Sequence, residues 1–297
     1  MKRASQTLVT YSSSEDEDQP PVKKKRKLPS LSPSLLLPVP TDNPTLHQGR
    51  VRSQPHVEGQ WVAHIYVSLI VERRSNLHKL LDVVLGEAKV ISPTLHDFWP
   101  TGEPSKKHEL HISLSRPIYL RTHQREGLKA AVKSLSRQFP PFPVSFATFS
   151  ELVNDERTRT FLALEVGAGH HELRAMSNAL TPTLHAIRQK EFYEDPHFHA
   201  SIAWALLDRP APSQSLIADV SPTLTEGTLS PSHAVSVPPE RVPEADFPTV
   251  TQLPEELVRS LNHRYSSALS STKTGIFDVE EIAVKIGKEV YTWQLSG

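Results

Sequence analysis

The chain has 297 residues, in which 33 Lys and Arg balance 33 Asp and Glu, with 26 Pro and no Cys. The absence of Cys excludes disulfides, thiolate zinc sites and a cysteine nucleophile. A formal net charge of zero excludes an overall basic field, so any contact with nucleic acid must come from local patches.

Residues 1–48 form a polar segment that pairs an acidic run with a basic run and then repeats Pro and Ser. This composition predicts a disordered tail. The basic run Lys23-Lys24-Lys25-Arg26-Lys27 resembles a nuclear import signal, which predicts a nuclear protein; a solvated charge run or a non-specific RNA arm is the alternative. Neither a secretory signal nor a stretch of ~20 apolar residues is present, so we expect an intracellular protein without membrane contact.

Strands and helices alternate between residues 49 and 208. Alternating apolar residues predict a strand from Trp61 to Val71, and Ser75 is placed to begin a helix that ends at Gly86. Similar patterns predict a strand at 109–120, a helix near 123–137, strands near 144–149 and 158–166, a helix at 171–190 and a strand at 197–206. Pro182 should kink or divide the last of these helices.

Residues 209–253 are rich in Pro, Ser and Thr and show no sustained periodicity, which predicts an inserted loop. A short helix near 254–263 follows. Residues 276–286 and 289–295 then read as a hairpin that turns at Gly287-Lys288. We therefore expect residues 49–297 to fold as one catalytic domain, interrupted by the insertion at about 209–253.

Two short motifs share one pattern. His111-Ile112-Ser113 and His199-Ala200-Ser201 each lie within an apolar stretch. Side chains alternate faces along a strand, so the His and Ser of each motif point one way and their apolar neighbours point into the core. Each half of the chain thus contains a strand, a helix and a strand with His-x-Ser, which predicts an α+β fold of two related lobes.

If the two strands lie side by side, two imidazoles and two hydroxyls converge on one cleft. One imidazole can take a proton from an attacking hydroxyl while the other protonates the leaving oxygen, which suits phosphodiester cleavage near neutral pH. Ser113 and Ser201 would then donate hydrogen bonds to the phosphate and need not be nucleophiles. His197 beside His199 makes a poor metal site without Cys or nearby carboxylate ligands, so we expect no metal and no cofactor.

These motifs resemble the 2H phosphoesterase superfamily, which is named for two H-x-S/T motifs, and within it the family of U6 small nuclear RNA phosphodiesterases. Further stretches carry the closer resemblance: Gly49-Arg50-Val51-Arg52-Ser53 with Pro55-His56, Trp61 to Val67, Thr158-Arg159-Thr160-Phe161 with Leu164-Glu165-Val166, and Phe192-Tyr193-Glu194-Asp195-Pro196 before Phe198-His199. The resemblance covers about residues 49–208 and, less distinctly, the C-terminal hairpin.

The resemblance implies two pseudo-symmetric lobes, each an antiparallel sheet with flanking helices, around a central cleft that carries both motifs. It also implies a 3′–5′ exoribonuclease that trims the oligouridine end of U6 RNA in mRNA splicing, without metal, and leaves a 2′,3′-cyclic phosphate or a 3′-phosphate. By the same analogy His199 is the base, His111 is the acid, and the ring of Tyr193 stacks on the terminal base. A monomer is the default expectation.

Two alternatives stay open. A cyclic nucleotide phosphodiesterase that acts on other small RNAs would share both motifs without shortening an oligouridine strand. An RNA- or spliceosome-binding protein without turnover is the other, although binding alone would not need both histidines.

Overall fold

The computed structural model describes residues 43–51, 57–98, 108–208 and 247–297. Residues 1–42 of the predicted tail, with its basic run, and residues 209–246 of the predicted insertion lie outside the described residues. The end of the predicted tail is ordered instead, because Pro44–His47 form a short 3-10 helix. Within the described part of the chain, eleven strands and four α-helices form an α+β fold, which confirms the predicted class. The last residues of the predicted insertion contain a short strand, Thr249–Val250, that the sequence pattern did not predict.

The strands form one sheet. They are β1 (Gln60–Val71), β2 (His96–Asp97), β3 (His108–Ser113), β4 (Ile118–Arg121), β5 (Phe142–Val153), β6 (Arg159–Val166), β7 (His199–Leu207), β8 (Thr249–Val250), β9 (Ile276–Val279), β10 (Glu281–Ile286) and β11 (Glu289–Gln294). Their spatial order is β11-β10-β1-β3-β7-β6-β5-β9, with β4 beside β1 and both β2 and β8 beside β7. Neighbours are antiparallel except β7 and β8. The strands with the two motifs, β3 and β7, therefore meet at the centre, with one group of strands on each side.

The described helices are α1 (Asn76–Ile91), α2 (Arg125–Ser136), α3 (His170–Ala186) and α4 (Glu255–Leu269). As predicted, α1 begins after Ser75, whose hydroxyl accepts the N–H of His78. The predicted end at Gly86 is wrong, because Ala88 continues the buried face and holds the helix together beyond the glycine. No helix in these four ranges has the length and apolar character needed to cross a membrane.

Pro182 lies inside α3, so the part of the prediction in which it divides the helix is wrong. The proline is exposed, while Leu180 and Leu184 on either side are buried. Burial of these two leucines stabilises the helix by several kcal/mol, at about 1.5–3 kcal/mol for each fully buried side chain, and so offsets the missing backbone hydrogen bond.

Two predicted strands are each divided in the structure. The predicted strand 109–120 separates into β3 and β4, which pair with opposite ends of β1. The first strand of the predicted hairpin separates at Glu280 into β9, which joins β5, and β10, which joins β1. The turn at Gly287 is as predicted, with a backbone φ of 61° that favours glycine.

The core lies against one face of the central strands. Ile65, Val67, Leu110, Ile112 and Ala200 are all at most 2% exposed and belong to one apolar cluster with the helices. Because strand side chains alternate, the residues between them point to the other face. That second face carries both His-x-Ser motifs.

Candidate active site

The two motifs meet where β3 pairs with β7. Ile112 lies opposite Ala200, and both are fully buried. Continuing this antiparallel register by one residue on each side places His111 opposite Ser201 and Ser113 opposite His199. All four side chains therefore lie on the face opposite the core, and the two histidines are diagonal neighbours, with backbones on the order of 7–8 Å apart. The structure thus brings together the four residues that the sequence singled out.

The proton position on His199 follows from its hydrogen bond. Its Nδ1 lies 2.6 Å from the backbone carbonyl oxygen of His197. A carbonyl oxygen can only accept, so Nδ1 donates and the lone pair of the neutral ring lies on Nε2. Burial lowers the pKa of His199, partly opposed by this hydrogen bond and by Glu165. Near pH 7 the ring is therefore neutral, with Nε2 available to accept a proton.

His111 is exposed yet surrounded by protein atoms, as expected for a side chain in a concave surface. Its ring meets His64 and Tyr66 edge-on, with centroids 5.7 and 5.5 Å away. Burial lowers the pKa of His111, which Glu109 opposes and the charges of His199 and Lys285 reinforce. A positive charge on His199 therefore disfavours a positive charge on His111.

Ser113 has a partner that the sequence analysis missed. Its Oγ lies 2.9 Å from Nε2 of His64 on β1. Burial, together with His111 and Lys285, lowers the pKa of His64 to about 4, so His64 is neutral near pH 7. Alternation along β1, which places polar His64 and Ser68 between buried Ile65, Val67 and Leu69, could have indicated that this histidine faces the cleft.

Charged side chains border the cleft on both sides. Glu165 on β6 lies opposite His199, and its carboxylate accepts a hydrogen bond of 3.4 Å from Thr148. Lys285 on β10 lies opposite His64. A carboxylate beside His199 favours its protonated form during turnover, and a cation beside His111 favours bound phosphate. Neither residue was singled out from the sequence.

Tyr193 lies in the segment between α3 and β7 and is 41% exposed. Its hydroxyl donates to Asp155 at 2.7 Å, which with burial raises the pKa of Tyr193 to about 12. The guanidinium of Arg116 covers one ring face at 3.8 Å and pairs with Asp155 at 2.6 Å. A base that stacks on Tyr193 must therefore use the other face of its ring.

His197 has one carboxylate beside it. Its Nδ1 lies 4.0 Å from a carboxylate oxygen of Glu165. Within the ranges that the structure describes, no group of three or more His, Asp and Glu side chains is placed to hold a metal ion.

Similarity to known proteins extends over most of the chain. A family model, described as HVSL, an uncharacterised conserved protein, matches residues 37–294. U6 snRNA phosphodiesterase 1 of Homo sapiens is 31% identical over 223 residues, which cover 68% of this chain and 80% of the human protein. The Mus musculus protein of that name is 31% identical, and the match covers 69% of this chain and 82% of the mouse protein. The match to the Rattus norvegicus protein is 32% identical and spans 59% of that protein.

Solved structures with similar chain tracing include Usb1 of Kluyveromyces marxianus, alone and with uridine monophosphate. These structures are 15% and 16% identical to this chain, each with a TM-score of 0.49, and cover 79% of it and 98% of their own chains.

Proposed function

This chain belongs to the HVSL family and to the family of U6 snRNA phosphodiesterase 1 proteins, and from that premise we propose that it trims the 3′ oligouridine end of U6 small nuclear RNA as a metal-independent 3′–5′ exoribonuclease. The substrate is carried over from the name of the relatives. The observation that carries the chemistry is the pairing of Ile112 with Ala200, which places two histidines on one face of the sheet.

The first step is an attack of a ribose 2′-hydroxyl on the adjacent 3′-phosphate. Nε2 of His199 accepts the hydroxyl proton, since its lone pair is fixed there by the hydrogen bond of Nδ1 to His197. His111 donates a proton to the departing 5′-oxygen of the terminal nucleotide. The bond from phosphorus to that oxygen breaks as the bond to the 2′-oxygen forms, which leaves a 2′,3′-cyclic phosphate.

Ser113 and Ser201 hold the phosphate in this proposal. Their hydroxyls lie on the same face as the imidazoles and can donate to the two non-bridging oxygens, where negative charge increases in the transition state. Nε2 of the neutral His64 contacts Ser113 and can donate to its oxygen, which leaves the hydroxyl proton for phosphate. If water later opens the cyclic phosphate, the two histidines exchange roles and a 3′-phosphate results.

The remaining assignments belong to the same proposal. Tyr193 stacks on the terminal base through the ring face that Arg116 does not cover. Residues 49–297 form one catalytic domain, which acts on RNA as a monomer in the nucleus. A 2′-hydroxyl is required at the attacking position, so DNA resists cleavage.

The test is incubation of the purified protein with RNA that carries a 3′ oligouridine tail, in the presence of EDTA. We expect progressive shortening and a cyclic phosphate or 3′-phosphate end. The matched control is the same RNA with a single 2′-deoxyuridine at the penultimate position, which should not be shortened. Ring opening of a small cyclic phosphate without shortening would favour the cyclic phosphodiesterase alternative, and binding without reaction would favour the RNA-binding alternative.

A further inference from the structure

A second group of interacting side chains lies outside the two motifs. It is an aromatic and basic strip made of Arg50, His96, Phe98, Arg159, Phe161 and Trp204. Arg50 lies over the ring of Trp204, with its Cζ 5.2 Å from the centroid, and His96 stacks on the same ring at 4.5 Å. Arg159 lies 5.3 Å from the centroid of Phe161, which is parallel to Phe98 at 6.4 Å. Both arginines are thus held by aromatic rings.

The strip shares a face with the candidate active site. On β6, Glu165 lies opposite His199, Ala163 opposite Ser201 and Phe161 opposite Trp204. Alternate residues of a strand share a face, so Phe161 and Arg159 continue the row that contains Ala163 and Glu165. At ~3.3 Å for each residue, Phe161 lies roughly 7 Å and Arg159 roughly 13 Å along the strand from Ala163.

The chain brings Arg50 to this face by a close backbone approach. Gly49 has a φ of 81°, and a Cβ there would lie 2.5 Å from a methyl of Leu206 and 2.6 Å from the ring of Phe247. Glycine therefore lets the chain pass directly against β7. Nε of Arg50 also donates to the carbonyl of His47 at 2.9 Å, which fixes the side chain.

The two guanidinium groups repel each other. Burial lowers the pKa of Arg159, and the nearby charge of Arg50 lowers it further, with only partial relief from Glu156. In the described part of the chain, neither Arg50 nor Arg159 forms an ion pair with a carboxylate. Like charges held together in this way are stabilised by an anion that binds between them.

We propose that this strip binds the single-stranded RNA on the 5′ side of the phosphodiester that is cleaved, with Arg50 and Arg159 on its phosphates and the exposed ring of Phe98 against a base. The inference rests on the proposed function. An exonuclease holds one nucleotide 3′ of the bond it cleaves, and Tyr193 is assigned to that nucleotide. A strip that extends roughly 13 Å along β6 from Ala163 is longer than this single nucleotide, so it also contacts the remaining strand. Arginine suits phosphate, and aromatic rings stack on any base, so the strip holds RNA without selecting its sequence.

The experiment compares a 12-nucleotide oligouridine with the dinucleotide UpU. Binding of the 12-mer, made non-cleavable by one 2′-deoxyuridine at the penultimate position, is measured by fluorescence anisotropy at several salt concentrations. For Arg50→Gln combined with Arg159→Gln we expect binding at least ~10-fold weaker at ~0.1 M salt, and a salt slope smaller by about 0.7 for each lost phosphate contact. Phe98→Ala, at a 42% exposed ring, should weaken binding by about tenfold.

The matched control is Arg259→Gln, an exposed arginine of α4 that pairs with Glu255 and Glu256 and should change nothing. Unchanged affinity for the 12-mer in all strip variants overturns the inference. A loss of kcat/KM on UpU as large as the loss of 12-mer affinity also overturns it, because UpU is too short to reach the strip. Thermal unfolding of each variant excludes a folding defect. Binding is measured without turnover. A wild-type protein that binds the 12-mer but does not cleave RNA would therefore contradict the proposed function and leave the inference about the strip standing.

Discussion

At the scale of single residues, the chemistry depends on where two protons lie. The hydrogen bond from Nδ1 of His199 to a backbone carbonyl leaves the lone pair of the neutral ring on Nε2. Among the described residues, none forms a hydrogen bond that fixes the tautomer of His111, whose exposed ring meets His64 and Tyr66 edge-on. This asymmetry gives a physical reason to assign His199 as base and His111 as acid, which the sequence alone could assign only by resemblance.

The lowered pKa values predict the pH dependence of the reaction. Burial moves the pKa of both His111 and His199 below the ordinary value of 6.5. The maximum of a bell-shaped profile lies midway between its two apparent pKa values, so kcat/KM, which reports the free enzyme, should peak below pH 6.5. The kcat maximum should lie at higher pH, because bound phosphate favours the imidazolium. A kcat/KM maximum above about pH 7 contradicts this.

His64 gives a second prediction as a positioning residue for Ser113. His64→Phe keeps much of the ring volume but removes the 2.9 Å contact with the hydroxyl. We expect kcat to fall by about tenfold, the worth of one hydrogen bond, with little change in KM. If His64 acts through Ser113, the double variant should lose no more kcat than the more damaging of His64→Phe and Ser113→Ala. Fully multiplicative losses would mean that His64 does not act through Ser113.

The sequence could predict that the histidine and the serine of each motif share a face, because the alternation of side chains can be read from each strand by itself. His64 was missed because its contact with Ser113 depends on how β1 pairs with β3. The cover of Arg116 over Tyr193 was equally out of reach, since Arg116, Asp155 and Tyr193 come from three separate loops.

At the scale of elements, the sequence predicted which helices and strands are present better than it predicted where each one ends. The Ser75 cap and the turn at Gly287 are local signals, and both were placed correctly. The division of 109–120 into β3 and β4 was not predicted, because it depends on which part of β1 each piece pairs with. Strands this short have too few residues for period alone to mark a break.

Pro182 provides a test at this scale. In Pro182→Ala the N–H at this position of α3 can donate to the preceding turn, while the exposed ring is no loss to packing. We expect the free energy of unfolding to rise by about 1–2 kcal/mol, less than the full cost of a helical proline because the unfolded chain gains freedom. Urea denaturation measures this. Thr183→Ala, which restores no hydrogen bond, is the control; an equal gain there would refute the explanation.

At the scale of the whole molecule, the sheet joins distant segments of the chain around one pair of strands. On one side of β3 and β7 lie β1, β10 and β11, and on the other lie β6, β5 and β9. Each side thus combines strands from distant parts of the sequence, as in the pairing of β10 with β1. The α+β class was predictable, because some segments show the apolar spacing of helices and others the alternation of strands. The separation of β9 and β10 to opposite sides of β3 and β7 was not predictable, because it is decided by pairing between distant segments.

Stability should therefore depend on pH through the buried cleft. The pKa of His64 is about 4 in the folded protein against 6.5 as its ordinary value, and those of His111 and His199 are lowered too. The unfolded chain binds more protons, so this stability is complete above pH 6.5 and is lost as pH falls towards 4. Thermal midpoints should decrease over this window, less steeply in His64→Phe. The same slope in the variant and the wild type would contradict the assignment.

The central claim is that His111 and His199 act on one phosphate. The most direct measurement is the rate at which His111→Ala, His199→Ala and the double variant shorten an oligouridine-tailed RNA in EDTA, with circular dichroism to confirm folding. We predict that each single variant loses at least about 10²- to 10⁴-fold in kcat and that the double variant is little worse, because either loss stops the shared step. A folded single variant that keeps activity near the wild-type rate contradicts the account.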